Sequence, residues 1–250
     1  MNSAFFKLFL LMTALLLSSC SSKAPPGESQ PLTPSPSSET TVPSQPNKSD
    51  SGWFKDVTSA SGVDFTYQTH ITEQGHLAAA VGGGMAIFDV EGDGDLDLYF
   101  VQANDLSSAT DKQPPTGNKL FLQTAPLKFV DATEQSGLGD LGHGMGVACA
   151  DFDGDGDVDV YLCNFGKDAL YRNNGDGTFT NITIEAGIGV EGISISAGWI
   201  DFDQDSDLDL YITQYIEFNP ETVCNDAAGR AEFCGPKAFP ASLDVFLENN

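Results

Sequence analysis

Three stretches of the chain place acidic residues at every second position of a short loop. Each has Asp or Glu at positions 1, 3, 5, 7 and 9, followed by an apolar residue and a tyrosine: DVEGDGDLDLY (Asp89–Tyr99), DFDGDGDVDVY (Asp151–Tyr161) and DFDQDSDLDLY (Asp201–Tyr211). Five like charges in one loop repel one another unless a cation or water neutralises them. A solvated charge run has no fixed spacing, whereas this spacing recurs three times, which indicates metal binding.

The chemistry of these loops favours Ca²⁺. This ion takes six to eight oxygen ligands at about 2.3–2.6 Å, and alternate carboxylates of a tight loop can converge on it, whereas Mg²⁺ prefers to retain its waters. Zinc lacks its usual ligands, because His70, His76 and His143 form no spaced pair with a cysteine. We predict about three Ca²⁺ sites, built from Asp89, Glu91, Asp93, Asp95, Asp97, Asp151, Asp153, Asp155, Asp157, Asp159, Asp201, Asp203, Asp205, Asp207 and Asp209.

Loop 1 (Asp89–Asp97), loop 2 (Asp151–Asp159) and loop 3 (Asp201–Asp209) are expected to share one ligand pattern. The side chains at positions 1, 3, 5 and 9 would bind the ion together with the backbone carbonyl at position 7. In loop 2 these are the side chains of Asp151, Asp153, Asp155 and Asp159 and the carbonyl of Asp157. Glycines at positions 4 and 6 allow the tight turn. Loop 3 departs most from the pattern, because Gln204 and Ser206 replace those glycines.

An EF-hand is the obvious rival, since its first six positions match those of loop 2. It requires a bidentate Glu at position 12 and a helix on each side. Position 12 is instead Phe100, Leu162 or Ile212, each in a strand-like pattern, which excludes the EF-hand.

Two further elements recur in the same order as the loops, so the chain is a repeat array. FKDVTSASG, FVDATEQSG and FTNITIEAG begin at Phe54, Phe129 and Phe179, and LFLQT, LYRNN and FLENN mark a strand near Phe121, Tyr171 and Phe246. Short alternating runs with glycine-rich turns favour antiparallel strands. The loops start 62 and 50 residues apart, a length typical of four-stranded propeller blades. We predict an all-β fold with about three blades.

The N-terminus predicts export. Lys7 precedes the apolar run Leu8–Leu17, which would rise only about 15 Å as a helix and is too short to span a bilayer. Leu17–Cys20, LSSC, resembles the bacterial lipobox, in which the cysteine is lipidated and becomes the new N-terminus. We therefore divide the chain into a lipoprotein signal peptide (1–20) ending at Cys20, a Ser/Pro-rich disordered tether (21–51) and an incomplete propeller (52–250).

The net charge and the cysteines indicate which partners and which disulfides to expect. The formal net charge is −25, which argues against nucleic-acid binding because phosphate contacts need clustered Lys and Arg. Disulfides persist in exported proteins, and we expect Cys224 and Cys234 to pair across a short loop. Cys149 and Cys163 flank loop 2, where either a disulfide or two buried thiols is compatible with the sequence.

The stretch Gly144–Ile188 resembles the repeat of bacterial FG-GAP/VCBS propeller proteins, and more closely the cartilage acidic protein type with an ASPIC/UnbV domain. CGP at Cys234–Pro236 also resembles an insertion of that group. The resemblance covers residues 52–250 and implies a seven-bladed propeller with Ca²⁺ between the first two strands of a blade. Asn173–Asn174 continue into Gly175–Gly177, whereas Asn249–Asn250 have no such continuation, and no ASPIC/UnbV domain is recognisable. We therefore expect an N-terminal piece of a longer protein or a truncated gene.

We expect the chain to be a membrane-anchored, extracytoplasmic Ca²⁺-binding module that contacts an unknown protein or glycan in adhesion, not an enzyme. Ser21 after Cys20 is similar to the sorting pattern of outer-membrane lipoproteins, so the outer membrane or cell surface is the expected location. The alternative is a propeller-based hydrolase or lyase with its catalytic part in loops or a C-terminal segment, but no G-x-S-x-G or metalloprotease motif is present.

Histidines and tryptophans outside the loops are expected to be structural. His143 precedes a strand and is predicted to be a turn residue, and His70 and His76 are predicted to lie in a surface loop. For Trp53 and Trp199 we prefer packing in the core to a role as carbohydrate platforms.

Overall fold

The computed structural model describes residues 52–68, 81–104 and 116–250. All of these except Gly52 belong to one compact domain, Trp53–Asn250. This domain consists of antiparallel strands with very little helix, which confirms the all-β prediction. No helix within the described ranges is long and apolar enough to cross a membrane. The predictions for Cys20, His70 and His76, and for the signal and tether segments up to residue 51, concern residues outside the described ranges.

The first four strands form a complete antiparallel sheet in chain order, which we call unit 1. Its strands are β1 (Gly84–Phe88), β2 (Asp97–Val101), β3 (Lys119–Ala125) and β4 (Lys128–Asp131). A single helical turn, α1 (Thr58–Ser61), precedes the sheet, and a second one, α2 (Thr133–Ser136), follows it. Loop 1 connects β1 to β2.

Unit 2 repeats this arrangement, and unit 3 repeats its first three strands. Unit 2 contains β5 (His143–Ala150), β6 (Asp159–Lys167), β7 (Ala169–Asn173) and β8 (Phe179–Asn181). Unit 3 contains β9 (Glu191–Ile200), β10 (Asp209–Gln214) and β13 (Val245–Leu247). A short pairing of β6 with β9, from Phe165↔Ile193 to Lys167↔Glu191, joins the two units.

An insertion separates β10 from β13 in unit 3. It contains the short strands β11 (Cys224–Asn225) and β12 (Ala231–Glu232), which pair with each other, and a 3-10 turn, Pro236–Ala238. The Cys224–Cys234 disulfide, which the sequence led us to expect, closes this hairpin. Aromatic and aliphatic side chains of the insertion pack against β5, β6 and β9 in a small core of their own.

Unit 2 packs against unit 1 on one face and against unit 3 on the other. Alternate residues of its strands point to these opposite faces. In β6, Val160 and Leu162 pack in a core shared with unit 1, whereas Tyr161 and Cys163 pack in a core shared with unit 3. Cys149 packs against the first of these cores. The two cysteines therefore lie on opposite faces of the sheet and are free thiols.

The first strands of the three units, β1, β5 and β9, lie side by side, and glycine allows their close approach. A Cβ atom on Gly146 of β5 would lie 2.4 Å from the carbonyl oxygen of Ile195 in β9. A Cβ atom on Gly144 would lie 2.1 Å from a methyl group of Val101. The first strand of a unit therefore packs closely against the first or second strand of its neighbour.

Candidate metal centre

The aspartate at position 9 of each loop is buried, and the backbone binds both of its carboxylate oxygens. One N–H comes from position 2 of the same loop and the other from the third strand or its end. For Asp97 the donors are Val90 (2.9 Å) and Gln123 (2.8 Å), for Asp159 they are Phe152 (3.1 Å) and Asn173 (2.8 Å), and for Asp209 they are Phe202 (3.1 Å) and Asn249 (2.9 Å). Position 9 therefore fastens the start of each loop to the third strand.

In loop 2, burial disfavours the ionised form of the position-9 carboxylate. Burial raises the pKa of Asp159 to about 6, although the N–H groups of Asn173 and Phe152 act in the opposite direction, and the nearby charges of Asp153 and Asp155 raise it further. Burial likewise raises the pKa of Asp97 in loop 1. A cation in the loop favours the ionised carboxylates and offsets this cost.

Loop 2 brings three carboxylates together. Asp151, Asp153 and Asp159 each offer an oxygen, and these atoms all lie within 4.8 Å of one another. Oδ2 of Asp151 accepts the N–H of Gly156 at 3.0 Å, but its Oδ1 is buried without any hydrogen-bond partner. A buried, unpaired carboxylate oxygen is costly. This orphaned oxygen and the all-oxygen donor set fit a hard cation such as Ca²⁺.

Loop 3 brings together a different and more exposed triad, Asp201, Asp203 and Asp205, whose oxygens meet the same 4.8 Å limit. The backbone at Gln204 (φ 67°) and Ser206 (φ 85°) is left-handed, as it is at Gly154 (φ 72°) and Gly156 (φ 99°) of loop 2. Loop 3 therefore has the same turn but carries side chains at two positions that favour glycine. The backbone turn of loop 3 is therefore kept although its sequence departs from the pattern.

Loop 1 is described throughout but forms no comparable triad. Asp89 at position 1 is occupied by the loop itself, since its oxygens accept the N–H groups of Asp93 (3.1 Å) and Gly94 (2.8 Å). Burial raises the pKa of Glu91, and the charges of Asp97, Asp93 and Asp89 raise it further.

The aspartates at positions 5 and 7 are arranged alike in all loops. The position-5 carboxylate accepts the N–H of position 7, at 2.9 Å in loops 1 and 2 and 3.0 Å in loop 3. In loop 2, Asp157 at position 7 directs its side chain toward Gly175 in the turn between β7 and β8. The triads do not include Asp155, Asp157, Asp207 or Asp209, and their predicted roles as ligands, including the Asp157 carbonyl, stay predictions.

Two asparagines that our sequence analysis did not single out connect the loops to the following unit. The side-chain amide of Asn173 in unit 2 donates to the carbonyl oxygen of Val90 in loop 1 at 2.9 Å. Asn249 after β13 donates in the same way to Phe152 in loop 2 at 3.1 Å. The only signal in the sequence was the Asn-Asn pair that ends both LYRNN and FLENN. Position 9 thus binds each loop to its own sheet, and an asparagine of the next unit binds loops 1 and 2.

The other single residues have mixed outcomes. Trp199 packs beside Phe152 and Tyr161 at the core between units 2 and 3, as predicted. Trp53 is 98% exposed, so the prediction that it packs in the core was wrong. The prediction of a turn was also wrong for His143, which begins β5 and is buried with its ring nitrogens 2.5 Å from the carbonyl of Asn104 and 3.3 Å from that of Val81.

Comparison with known proteins agrees with the repeated geometry. Residues 89–162 and residues 151–212 each match the FG-GAP-like repeat family. The two matches overlap at loop 2, and each runs from one acidic loop into the second strand of the next unit. No curated protein matches the chain.

Proposed function

We propose that this chain, which carries FG-GAP-like repeats, is an exported, lipid-anchored β-propeller protein of the ASPIC/UnbV type. Structural Ca²⁺ in its acidic loops would support a surface that binds a protein or a glycan. The observation that carries the metal assignment is the loop 2 triad with the orphaned Oδ1 of Asp151. Cys20 would carry the lipid, and residues 21–51 would hold the folded part away from the membrane.

Ca²⁺ would act on the junctions between units. In loop 2, Phe152 is bound through its N–H by Asp159 and through its carbonyl by Asn249. Neutralising the carboxylates around Phe152 therefore stabilises both the loop and its contact with the end of unit 3. Because such a site forms only in the folded chain, its binding free energy becomes folding free energy. A rigid array of units is what an interaction surface requires.

The metal assignment is tested by unfolding the chain in 2 mM Ca²⁺ and in calcium-free buffer, with bound ions counted by mass spectrometry. A site with a Kd of about 0.1 mM would add about 1.8 kcal/mol to the free energy of unfolding. Asp151→Asn should lose one bound ion and most of that increment. Glu185→Gln removes one exposed negative charge outside the loops and should change neither quantity. Equal stability with and without Ca²⁺, and no bound ion, would remove the assignment.

The anchor is tested separately in a bacterial host supplied with labelled palmitate. The chain should incorporate the label and sediment with membranes, whereas Cys20→Ser should do neither. Recovery of the unlabelled chain in the soluble fraction without detergent would contradict the lipid anchor while leaving the metal assignment intact. Binding to arrayed glycans and to surface-protein extracts, with Ca²⁺ and without it, would then identify the class of partner.

A further inference from the structure

Asn173, the last residue of β7, bridges loops 1 and 2 through its side-chain amide. Its Nδ2 group donates to the carbonyl oxygen of Val90, at position 2 of loop 1, at 2.9 Å. The same group donates to the carbonyl oxygen of Val158, at position 8 of loop 2, at 3.3 Å. Because Asn173 and Val90 are each 1% exposed, bulk water does not compete for the bond between them. One buried side chain therefore holds one residue of each loop.

The backbone N–H of Asn173 makes a separate contact with loop 2. It donates to Asp159 Oδ1 at 2.8 Å, and Asp159 is a member of the loop 2 triad. A substitution at Asn173 removes the side-chain bonds and leaves this backbone bond in place. The link between the loops can therefore be cut while loop 2 keeps the backbone contact to a candidate ligand.

On the side of loop 1, the bond from Asn173 leads to position 9 through Val90. The carbonyl of Val90 accepts from Asn173, and the N–H of Val90 donates to Asp97 Oδ2 at 2.9 Å. Asp97 and Asp159, the buried position-9 carboxylates of adjacent loops, are thus connected by hydrogen bonds through Val90 and Asn173 alone.

The turn that follows Asn173 contacts both loops as well. A Cβ atom on Gly175 would lie 2.6 Å from Asp157 Oδ2 in loop 2, and one on Gly177 would lie 3.8 Å from the Cβ atom of Glu91 in loop 1. Asn173 Oδ1 accepts the N–H of Gly175 at 3.0 Å, so the same side chain also fixes this turn. Ordering either loop therefore orders residues that contact the other.

This shared residue gives the two loops a common ordering cost. The like charges of an empty loop repel one another, so cation binding is expected to order the loop and the residues bonded to it. Once binding in one loop has fixed Asn173, binding in the other proceeds without that part of the entropy cost. Ordering that is shared in this way produces positive cooperativity, and the coupling is reciprocal.

We propose that Asn173 couples the cation sites of loops 1 and 2, so that occupation of either loop raises the affinity of the other. This coupling rests on the proposed Ca²⁺ function, and Asn173 is a positioning residue that acts through the loops. Asn249 repeats the arrangement in the next unit, because its N–H donates to Asp209 Oδ1 at 2.9 Å and its side chain to the carbonyl of Phe152 at 3.1 Å. The same coupling therefore extends from loop 2 to loop 3.

Loop-resolved hydrogen exchange measures the coupling. The exchange of the backbone amides of residues 90–95 is followed by mass spectrometry during a Ca²⁺ titration, and its midpoint reports the occupation of loop 1. Asp151→Asn, which disables loop 2, should move this midpoint to about fivefold higher Ca²⁺ or more. In the Asn173→Ala chain, the same substitution should move the midpoint by less than about twofold.

The matched control is Asn174→Ala, at the adjacent position. The side chain of Asn174 is bonded to Thr178 and Thr180 of its own hairpin, so this variant should keep the full shift. Long-range electrostatics is the rival explanation, because Asp151→Asn also removes a negative charge. Its effect does not depend on the Asn173 side chain and is screened in about 1 M salt, where the Debye length is about 3 Å. The coupling through Asn173 should persist there.

Reciprocity supplies a measurement that leaves Asn173 unchanged, in case Asn173→Ala does not fold. Asp89→Asn in loop 1 should move the exchange midpoint of loop 2, residues 152–157, by the same factor by which Asp151→Asn moves that of loop 1. Unequal factors overturn the coupling.

The remaining outcomes separate the coupling from the Ca²⁺ function on which it rests. Bound Ca²⁺ in loop 2 with no shift in loop 1, or an equal shift with and without the Asn173 side chain, overturns the coupling and leaves the Ca²⁺ function standing. No bound ion and no exchange response to Ca²⁺ in any loop overturns both.

Discussion

The hydroxyl of Tyr161 donates a hydrogen bond of 2.8 Å to the carboxylate of Asp168. Tyr161 lies in β6, and Asp168 directly precedes β7, so the bond ties the second strand of unit 2 to its third. The same carboxylate accepts the backbone N–H of Asn164 at 2.7 Å and the hydroxyl of Ser194, in β9 of unit 3, at 2.6 Å. One buried aspartate therefore holds together two strands of unit 2 and the first strand of unit 3.

Every unit contains a version of this contact. In unit 3 the hydroxyl of Tyr211 donates to Asp244 at 2.8 Å. In unit 1 the aspartate is replaced by Asn118, whose amide donates to the hydroxyl oxygen of Tyr99 at 2.9 Å. The tyrosine that closes each acidic loop motif is thus a structural residue that fastens the sheet behind the loop.

We expect Tyr161→Phe to lower the free energy of unfolding by about 1.5–3 kcal/mol, because it removes a hydrogen bond to a buried charge. Tyr211→Phe is the matched control. The Tyr211–Asp244 pair is exposed, so its loss should cost less than 1 kcal/mol. Urea unfolding of both variants measures the difference. Equal effects would show that burial of the acceptor does not determine the strength of this contact.

Stability should depend on pH through Asp168. Burial raises its pKa above the ordinary value near 3.9, although hydrogen bonds from Ser194, Asn164 and Tyr161 act against this. The folded state then binds a proton at a higher pH than the unfolded state. The contribution of Asp168 to stability therefore rises as pH falls through the folded pKa and is complete below the unfolded one.

Asp168→Asn, which cannot titrate, isolates this contribution. The stability of the unsubstituted chain relative to the variant should increase as pH is lowered from 7 to 4, as measured by urea unfolding at each pH. An amide fits such a site, since Asn118 occupies the equivalent place in unit 1. A relative stability that falls over this range would mean that the hydrogen bonds hold the pKa below its ordinary value.

The close approach of the first strands predicts a sharp contrast between two glycines. Gly146→Ala places a Cβ atom 2.4 Å from the Ile195 carbonyl and should cost about 1–3 kcal/mol or more, because neither backbone can yield easily. Gly198→Ala in β9 meets nothing within 4 Å and should be nearly neutral. Thermal unfolding compares them. A tolerated Gly146→Ala would mean that β5 and β9 are not in direct contact.

Glycine at positions 4 and 6 should raise the stability of loop 3. Gln204→Gly and Ser206→Gly relieve left-handed backbone at φ 67° and 85°, a conformation that costs a non-glycine residue about 1–2 kcal/mol. Because glycine also loses more entropy on folding, we expect a net gain of about 0.5–1 kcal/mol at each site. Gln204→Ala removes the side chain without relieving the backbone and should give no gain. Stability measured at saturating Ca²⁺ distinguishes these variants.

The loops, the repeats and the all-β fold followed from the sequence because they rest on local patterns. Alternate aspartates, glycines at two turn positions and a following apolar strand are all contained within a dozen residues. The repetition of these patterns located the units and the strands that bound each loop. The pairing of Cys224 with Cys234 was also expected from spacing alone, and the structure contains that bond.

Residues far along the chain decide whether a loop carboxylate accepts backbone hydrogen bonds or is left without a partner. Asp159 is bound by Asn173, and Asp209 by Asn249, so spacing within the loop could not distinguish a backbone acceptor from an orphaned oxygen such as Oδ1 of Asp151. The burial of individual side chains was likewise decided by residues distant in sequence. Alternation along β6 placed Cys163 on the face opposite Cys149, and Trp53 is 98% exposed although the sequence favoured its packing in the core. The sequence by itself determined the local turns and the strand order, whereas the tertiary structure decided which polar atoms and which apolar faces find a partner, because those partners come from other units.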